Sequence, residues 1–189
     1  MKGQLIYMIG ASGSGKDTLM KNSRKFVANN CMPVVFAHRY ITRPVKPIGE
    51  NHIALTTGEF ETRSQNGFFA MQWESNQVKY GIGNEINDWL NSGVMVIMNG
   101  SREYLPIAWT LYPQMQVVHV QTTMEQLRAR LIARGRETEQ QIEEYLLRTM
   151  DYNIDYSNVM KIDSSGSETN TLRQFIEMLH DIFVMQEDV

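Results

Sequence analysis

The chain has 189 residues, of which 42% are hydrophobic, and 18 Lys and Arg stand against 21 Asp and Glu for a net charge of −3. That length supports about one domain with a sizeable core, and the composition excludes a disordered chain. The near-balanced charge supplies no broad basic field for nucleic acid, so each arginine has to be read singly.

The first predicted element is a strand over 4–9, Gln-Leu-Ile-Tyr-Met-Ile. Only this short apolar run follows Lys2, so neither a signal peptide nor a membrane span fits the start of the chain. The strand runs into Gly10-Ala11-Ser12-Gly13-Ser14-Gly15-Lys16, and a helical pattern covers 15–28. Strand, glycine-rich turn and helix is the setting of a phosphate-binding loop. The glycines let backbone amides converge, and the helix N-terminus adds its positive dipole end. Lys16 then reaches the outer phosphates of a nucleoside triphosphate. Gly10 to Thr18 is therefore the candidate ATP-binding loop and Lys16 a candidate catalytic cation. The pattern departs at one position. Asp17 stands where a Ser or Thr normally meets Mg²⁺, with Thr18 next, so Asp17 and Thr18 are alternative metal ligands. The lone cysteine, Cys31, cannot close an internal disulfide, which fits a reducing cytoplasm.

Further core strands are predicted over 33–38, 94–98, 115–120 and 159–162, and helices over 84–92, 102–111, 123–134, 138–151 and 168–185. The alternation predicts an α/β fold, a parallel sheet with helices on both faces. Ligands of such sheets bind outside the carboxyl ends of the strands. Gly10, Arg39 and Asn99 each follow an apolar run and are placed on that edge. The alternation breaks over 50–82, where strand-like pieces at 53–56, 68–73 and 78–80 surround one short helix. This predicts one domain, with a core of 1–49, 83–122 and 152–189 and a small inserted lobe over about 50–82. A helical lid is predicted over about 123–151. Thr122 or Thr123 can cap the lid's first helix, with Glu125 or Gln126 placed for a capping box. Arg130 and Arg134 are one helical turn apart and share a side of it, while Arg128 lies elsewhere and Arg136 follows Gly135. Helix, glycine and helix carrying arginines suits a lid that closes on phosphates, which makes Arg130 and Arg134 candidate catalytic cations.

The segments GASGSGKD at 10–17, ITRP at 41–44, Gly49-Glu50, Tyr80-Gly81 and RLIARGRETE at 130–139 resemble the guanylate-kinase-like branch of nucleoside monophosphate kinases. The resemblance implies a P-loop kinase fold, Arg43 and Tyr80 on the acceptor's phosphate, and Arg130 and Arg134 around the transferring phosphates. The branch's guanine-reading acids have no counterpart here. Met71 and Gln72 stand at the matching place in the lobe, and Met98-Asn99-Gly100-Ser101-Arg102 carries no carboxylate. Without that charge-assisted contact a purine base is poorly discriminated, so GMP is not the expected acceptor.

The phrases His38–Arg43, Glu50–Leu55 and Asn99–Arg102, with a loop ending Gly-Lys-Asp, resemble a narrower family, the ribose 1,5-bisphosphate phosphokinases of bacterial phosphonate breakdown. That resemblance implies conversion of ribose 1,5-bisphosphate and ATP, with Mg²⁺, into 5-phosphoribosyl 1-diphosphate and ADP. The family's second lid helix usually offers an Arg where this chain has Tyr145, and Arg148 one turn later is the alternative. A small acceptor with two phosphates and no base calls for cations and hydroxyl partners. Arg39, Arg43, His52 and Arg102 are the candidate cations of that pocket, with Tyr80 and Asn99 beside them. Lys46 either adds charge there or is a plain solvent lysine. Two other readings stand: a nucleoside monophosphate kinase with relaxed base choice, and a non-catalytic guanylate-kinase-like module that binds phosphorylated peptides. Such modules usually lack the phosphate loop, and the oligomeric state stays open.

Overall fold

The computed structural model describes residues 3–44, 52–135, 137–150 and 159–187. Lys46, Gly49, Glu50, Asn51 and Arg136 lie outside the described residues. In chain order the elements are β1 (Leu5–Ile9), α1 (Lys16–Asn29), β2 (Val34–Phe36), β3 (Arg39–Ile41), β4 (His52–Ala54) and α2 (Thr57–Gln65). There follow β5 (Phe69–Ser75), β6 (Val78–Gly83), α3 (Glu85–Asn91), β7 (Met95–Asn99), α4 (Leu105–Leu111) and β8 (Gln116–Gln121). The last are α5 (Met124–Arg134), α6 (Glu139–Met150), β9 (Val159–Asp163) and α7 (Glu168–Glu187). A five-stranded sheet has the order β2-β7-β1-β8-β9, with parallel pairing of β2 and β1 to β7 and of β8 to β9. A four-stranded sheet has the order β4-β3-β6-β5 and is mixed, since β3 pairs parallel with β4 and antiparallel with β6. The α/β architecture expected from the sequence is the one found.

Two expected boundaries are corrected. The strand read over 33–38 is shortened to 34–36, and a second strand, in the other sheet, follows it at 39–41. β2 ends at Phe36, the Ala37 N–H still bonds the Ile97 carbonyl at 2.9 Å, and β3 begins at Arg39 against His52 and Ile82. An apolar run reports extended backbone and not which sheet receives it, so the crossing at exposed His38 leaves no periodicity signal. The helix read over 102–111 starts at Leu105. Pro106 has no N–H, and inside a helix its ring would strike the carbonyl of Arg102, so it belongs in the first turn.

The chain divides into two compact units, Met1–Met8 with Arg24–Gln116, and Ile9–Ser23 with Val117–Val189. In the first, every residue of β7 is buried, as continuous apolar strands covered on both faces require. Tyr7 is fully buried, and its hydroxyl donates to the Ser101 carbonyl at 3.0 Å and accepts the Ser101 N–H at 3.1 Å. This pins the turn after β7. Gly100 lies against the same ring, and a Cβ there would come within 2.2 Å of it.

In the second unit Ala11, Leu127, Leu131, Ile142 and Leu146 form a buried cluster, flanked by Met124 and Tyr145. The loop after β1 is thereby packed on α5 and α6. Thr123 caps α5 by accepting the Gln126 N–H at 3.2 Å. The Gln126 side chain donates to the Ser165 carbonyl at 2.7 Å. Gly135 closes α5 in the left-handed conformation with φ 63°, and Arg128 forks onto Glu143 of α6.

Gly100→Ala is expected to destabilise the protein by about 1–3 kcal/mol, because its methyl group has to displace a buried ring. A urea unfolding curve measures it, and a midpoint equal to that of the unchanged protein would contradict the contact.

Candidate functional site

The loop after β1 has the backbone a phosphate cradle needs. Gly13 and Gly15 hold φ 89° and 87°, where a side chain would be strained. A Cβ on Gly10 would lie 2.6 Å from Ser14 Oγ and 2.7 Å from the Val120 carbonyl. The Ser14 N–H bonds the Ala11 carbonyl at 3.0 Å, which rounds the turn. The Ser14 hydroxyl is buried with no hydrogen-bond partner among the described residues. Lys16 opens α1 with its side chain 11% exposed, and its Nζ is 3.7 Å from Asp17 Oδ1. Asp17 and Thr18 are exposed on the first turn of the helix.

Side chains of α5 and α6 reach this loop. Arg130 donates to the Gly13 carbonyl at 3.3 Å, to Ser164 Oγ at 3.3 Å, to the Ser164 carbonyl at 2.6 Å and to Gln126 Oε1 at 3.4 Å. Arg134 donates to Ser12 Oγ at 2.9 Å and pairs with Glu137. The Tyr145 hydroxyl accepts the Ser12 N–H. The structure thus brings Arg130, Arg134 and Tyr145 to Ser12 and Gly13, and the side chain of Arg148, the alternative to Tyr145, lies outside the described residues. Ser164 escaped the sequence reading. It stands one residue past β9, close to the carboxyl end of a core strand, as Asn99 is at the end of β7. Beside it, the Ser165 side chain and N–H both bond Asp163 and hold that carboxyl below its usual range.

The acceptor candidates lie in the other unit. Cross-strand partners share a face of a sheet, and Arg39 pairs with His52 and Ile82 while Tyr80 pairs with Ile41 and Trp73. Arg39, His52, Trp73 and Tyr80 therefore lie on one face with the buried Ile41, Met71 and Ile82. Trp73 stacks on Tyr80 at 5.4 Å and 4°, and Tyr104 stacks on Trp73 at 5.4 Å and 27°. The Arg39 guanidinium sits 5.9 Å from the Tyr80 ring centre. Burial pushes the Tyr104 phenol up, opposed by a hydrogen bond from the Gln72 backbone. His52 is buried, and its Nε2 lies 3.3 Å from the Arg43 carbonyl, a bond that requires the proton on Nε2. Arg43 follows β3, Asn99 is the buried last residue of β7, and Arg102 is in the turn beyond it. Trp73 and Tyr104 also escaped the sequence reading. For Trp73 the signal was present. Asn76 and Gln77 turn the chain with φ 50° and 62°, which sets Ser75 opposite Val78 and hence Trp73 opposite Tyr80.

No protein-family model matches the chain. Three similar curated proteins each bear the name ribose 1,5-bisphosphate phosphokinase PhnN. That of Thiobacillus denitrificans is 52% identical over 151 residues, 80% of this chain and 79% of its own. That of Psychromonas ingrahamii is 45% identical over 181 residues, 95% and 91% of the two chains. That of Burkholderia mallei is 42% identical over 181 residues, 95% and 96%. Among solved structures, a guanylate kinase from Anaplasma phagocytophilum aligns with a TM-score of 0.69 and 14% identity over 95% of this chain and 86% of its own. That likeness shows the fold alone.

Trp73→Ala removes the middle ring of the stack and is expected to destabilise the protein by about 2–4 kcal/mol. Steady-state kinetics on the variant should show the phosphate acceptor's KM rising while the nucleotide's KM stays put. Equal rises in both would mean the stack does not serve the acceptor candidates.

Proposed function

The chain belongs to the ribose 1,5-bisphosphate phosphokinase family, and on that premise we propose that it transfers the γ-phosphoryl group of ATP to the 1-phosphate of ribose 1,5-bisphosphate, giving 5-phosphoribosyl 1-diphosphate and ADP. The observation that carries the choice of acceptor is the face of the four-stranded sheet. It presents Arg39, His52 and Tyr80, and the residue standing where guanylate kinases place an acid is Met71, 1% exposed. An apolar buried side chain has nothing to offer the N–H groups of a base, whereas guanidinium and phenol groups suit phosphate and sugar hydroxyls.

The loop suits a triphosphate on its own features: two glycines with positive φ, a buried serine hydroxyl with no partner among the described residues, and Lys16 at a helix N-terminus. Gly10, Ala11, Ser12, Gly13, Ser14, Gly15, Lys16, Asp17 and Thr18 are assigned to hold it. Among the described residues no three His, Cys, Asp or Glu side chains gather as a metal site. Mg²⁺ suits such a place, since it usually takes one or two protein ligands and draws the rest from phosphate and water. Asp17 or Thr18 would supply the protein ligand, and Mg²⁺ would neutralise phosphate charge when bound.

Lys16, Arg130 and Arg134 offset charge on the transferring group. Arg39, Arg43, His52, Tyr80, Asn99 and Arg102 orient the acceptor. Its 1-phosphate oxygen is already anionic at neutral pH, so no general base is required. Catalysis is positioning plus cancellation of charge. In this scheme residues 50–82 form the acceptor lobe and 123–151 a lid that limits wasteful hydrolysis of ATP. A cytoplasmic site of action is part of the same reading. The described helices include none long and apolar enough to cross a membrane.

An ADP-release assay with a panel of acceptors tests the proposal. Ribose 1,5-bisphosphate is expected to be turned over with kcat/KM at least about 100-fold above that for GMP, the scale on which missing polar partners discriminate. Brisk use of GMP with the pentose ester ignored would overturn the acceptor assignment. Lys16→Ala should lower kcat by about 100-fold or more with unchanged thermal unfolding, and an active variant would remove Lys16 from the scheme.

A further inference from the structure

Ser164 is 3% exposed, and its hydroxyl has two carbonyls within reach, those of Ser14 and Gln121. The hydroxyl has one proton to give, and the Ser14 carbonyl is the nearer of the two, while the Gln121 carbonyl also has the Ser164 N–H at 2.8 Å. The hydroxyl oxygen accepts from Arg130 Nη1 at 3.3 Å, while Nη2 donates to the Ser164 carbonyl at 2.6 Å. Arg130 is thus held at two points by one residue, and Nη1 also reaches the Gly13 carbonyl at 3.3 Å. A Cβ on Gly15 would lie 3.4 Å from both Arg130 Nη1 and Ser164 Oγ, so loop, arginine and serine are in mutual contact.

The consequence follows from the shape of a peptide bond. In a trans peptide the C=O and N–H point opposite ways, and the described backbone has no cis bond. Tying the Ser14 carbonyl to Ser164 therefore turns the Gly15 N–H in the opposite direction, away from Ser164. We propose that Ser164 is a positioning residue for phosphoryl transfer: its buried hydroxyl fixes the amide direction at Gly15 and the seat of the Arg130 guanidinium in one arrangement. The inference rests on the assignment of the loop and Arg130 to the donor phosphates. It does not depend on which acceptor is used.

The test compares Ser164→Ala with Ser164→Thr, which keeps the hydroxyl, and with Ser164→Cys, nearly the same size with a weak donor. Calorimetry with a non-hydrolysable ATP analogue and Mg²⁺ should show affinity falling about 5–10-fold in Ser164→Ala, with the enthalpy of binding less favourable. In the kinase assay kcat should fall about 10–100-fold with the acceptor KM within about twofold. Ser164→Thr should restore both. If Ser164→Ala does not fold, Ser164→Cys carries the same comparison, with circular dichroism and thermal unfolding as the check on the fold. Unchanged affinity and kcat would overturn the proposal, and so would an acceptor KM that worsens in step with nucleotide affinity, the mark of general loosening. If the unmodified protein binds the nucleotide yet ignores ribose 1,5-bisphosphate, only the acceptor assignment fails, and calorimetry still decides the role of Ser164. Failure of the unmodified protein to bind the nucleotide would overturn both.

Discussion

A loop can aim N–H groups at an anion only if the carbonyls of the same peptides turn away from it, and carbonyls turned into a protein need donors of their own. This constraint organises the second unit. The Gly13 carbonyl is received by Arg130, the Ser14 carbonyl by Ser164 and the Ala11 carbonyl by the Ser14 N–H. Each donor must be held in turn. Leu127 and Leu131 anchor the helix that carries Arg130, and Ile142 and Leu146 bring α6 against it. The positive φ of Gly13 and Gly15 is one half of the solution, and the donors behind the loop are the other.

The first unit solves a different problem, keeping polar groups on a sheet face that is largely apolar. Ile41, Met71 and Ile82 are all but fully buried there, and Arg39, His52 and Tyr80 share the face with them. Aromatic rings carry the change from apolar to polar. Trp73 lies between Tyr80 and Tyr104, and the Arg39 guanidinium rests on Tyr80, so flat aromatic surfaces help to support the cation. Tyr7, fully buried beneath the turn that follows β7, fixes the turn between Asn99 and Arg102 through two hydrogen bonds to Ser101. A kinase for a phosphorylated sugar has more use for fixed cations than for a slot shaped to a base.

Much of this was legible in the residues, and the boundary is physical. The strand, loop and helix from Leu5 to Asn29 are written in contiguous residues, as are the cap at Thr123 and the stop at Gly135. Local rules suffice where the partners are neighbours. The crossing at His38 was not legible, because alternation marks extended backbone without naming the sheet that takes it. Pro106 was legible in principle, since a residue without an N–H belongs in the first turn of a helix. Ser164 was beyond reach by such rules. Its contact with Ser14 spans 150 residues, and the segment Asp163-Ser164-Ser165-Gly166 reads like any polar turn. Trp73 falls between these cases, since the turn at Asn76 and Gln77 fixes its opposition to Tyr80 while the third ring, Tyr104, comes from a distant loop.

The arginines separate further by what they touch. Arg128 is forked onto Glu143, and Arg173 pairs with Glu177 across one helical turn. Their charge is answered within the protein, and they brace helices. Arg134 is divided, with one nitrogen on Glu137 and another on Ser12 of the loop. Arg130 differs from all three. Among the described residues its hydrogen-bond partners are two carbonyls, a hydroxyl and an amide oxygen, all of them neutral. Neutral acceptors orient a guanidinium without cancelling its charge, whereas a carboxylate does both. Among the described residues no carboxylate is hydrogen-bonded to Arg130, so an anion bound at the loop would supply a charged partner. Under the proposed function that placement would let Arg130 meet charge on the γ-phosphate, and Ser164, which bonds it through both hydroxyl and carbonyl, would be the residue that sets its direction.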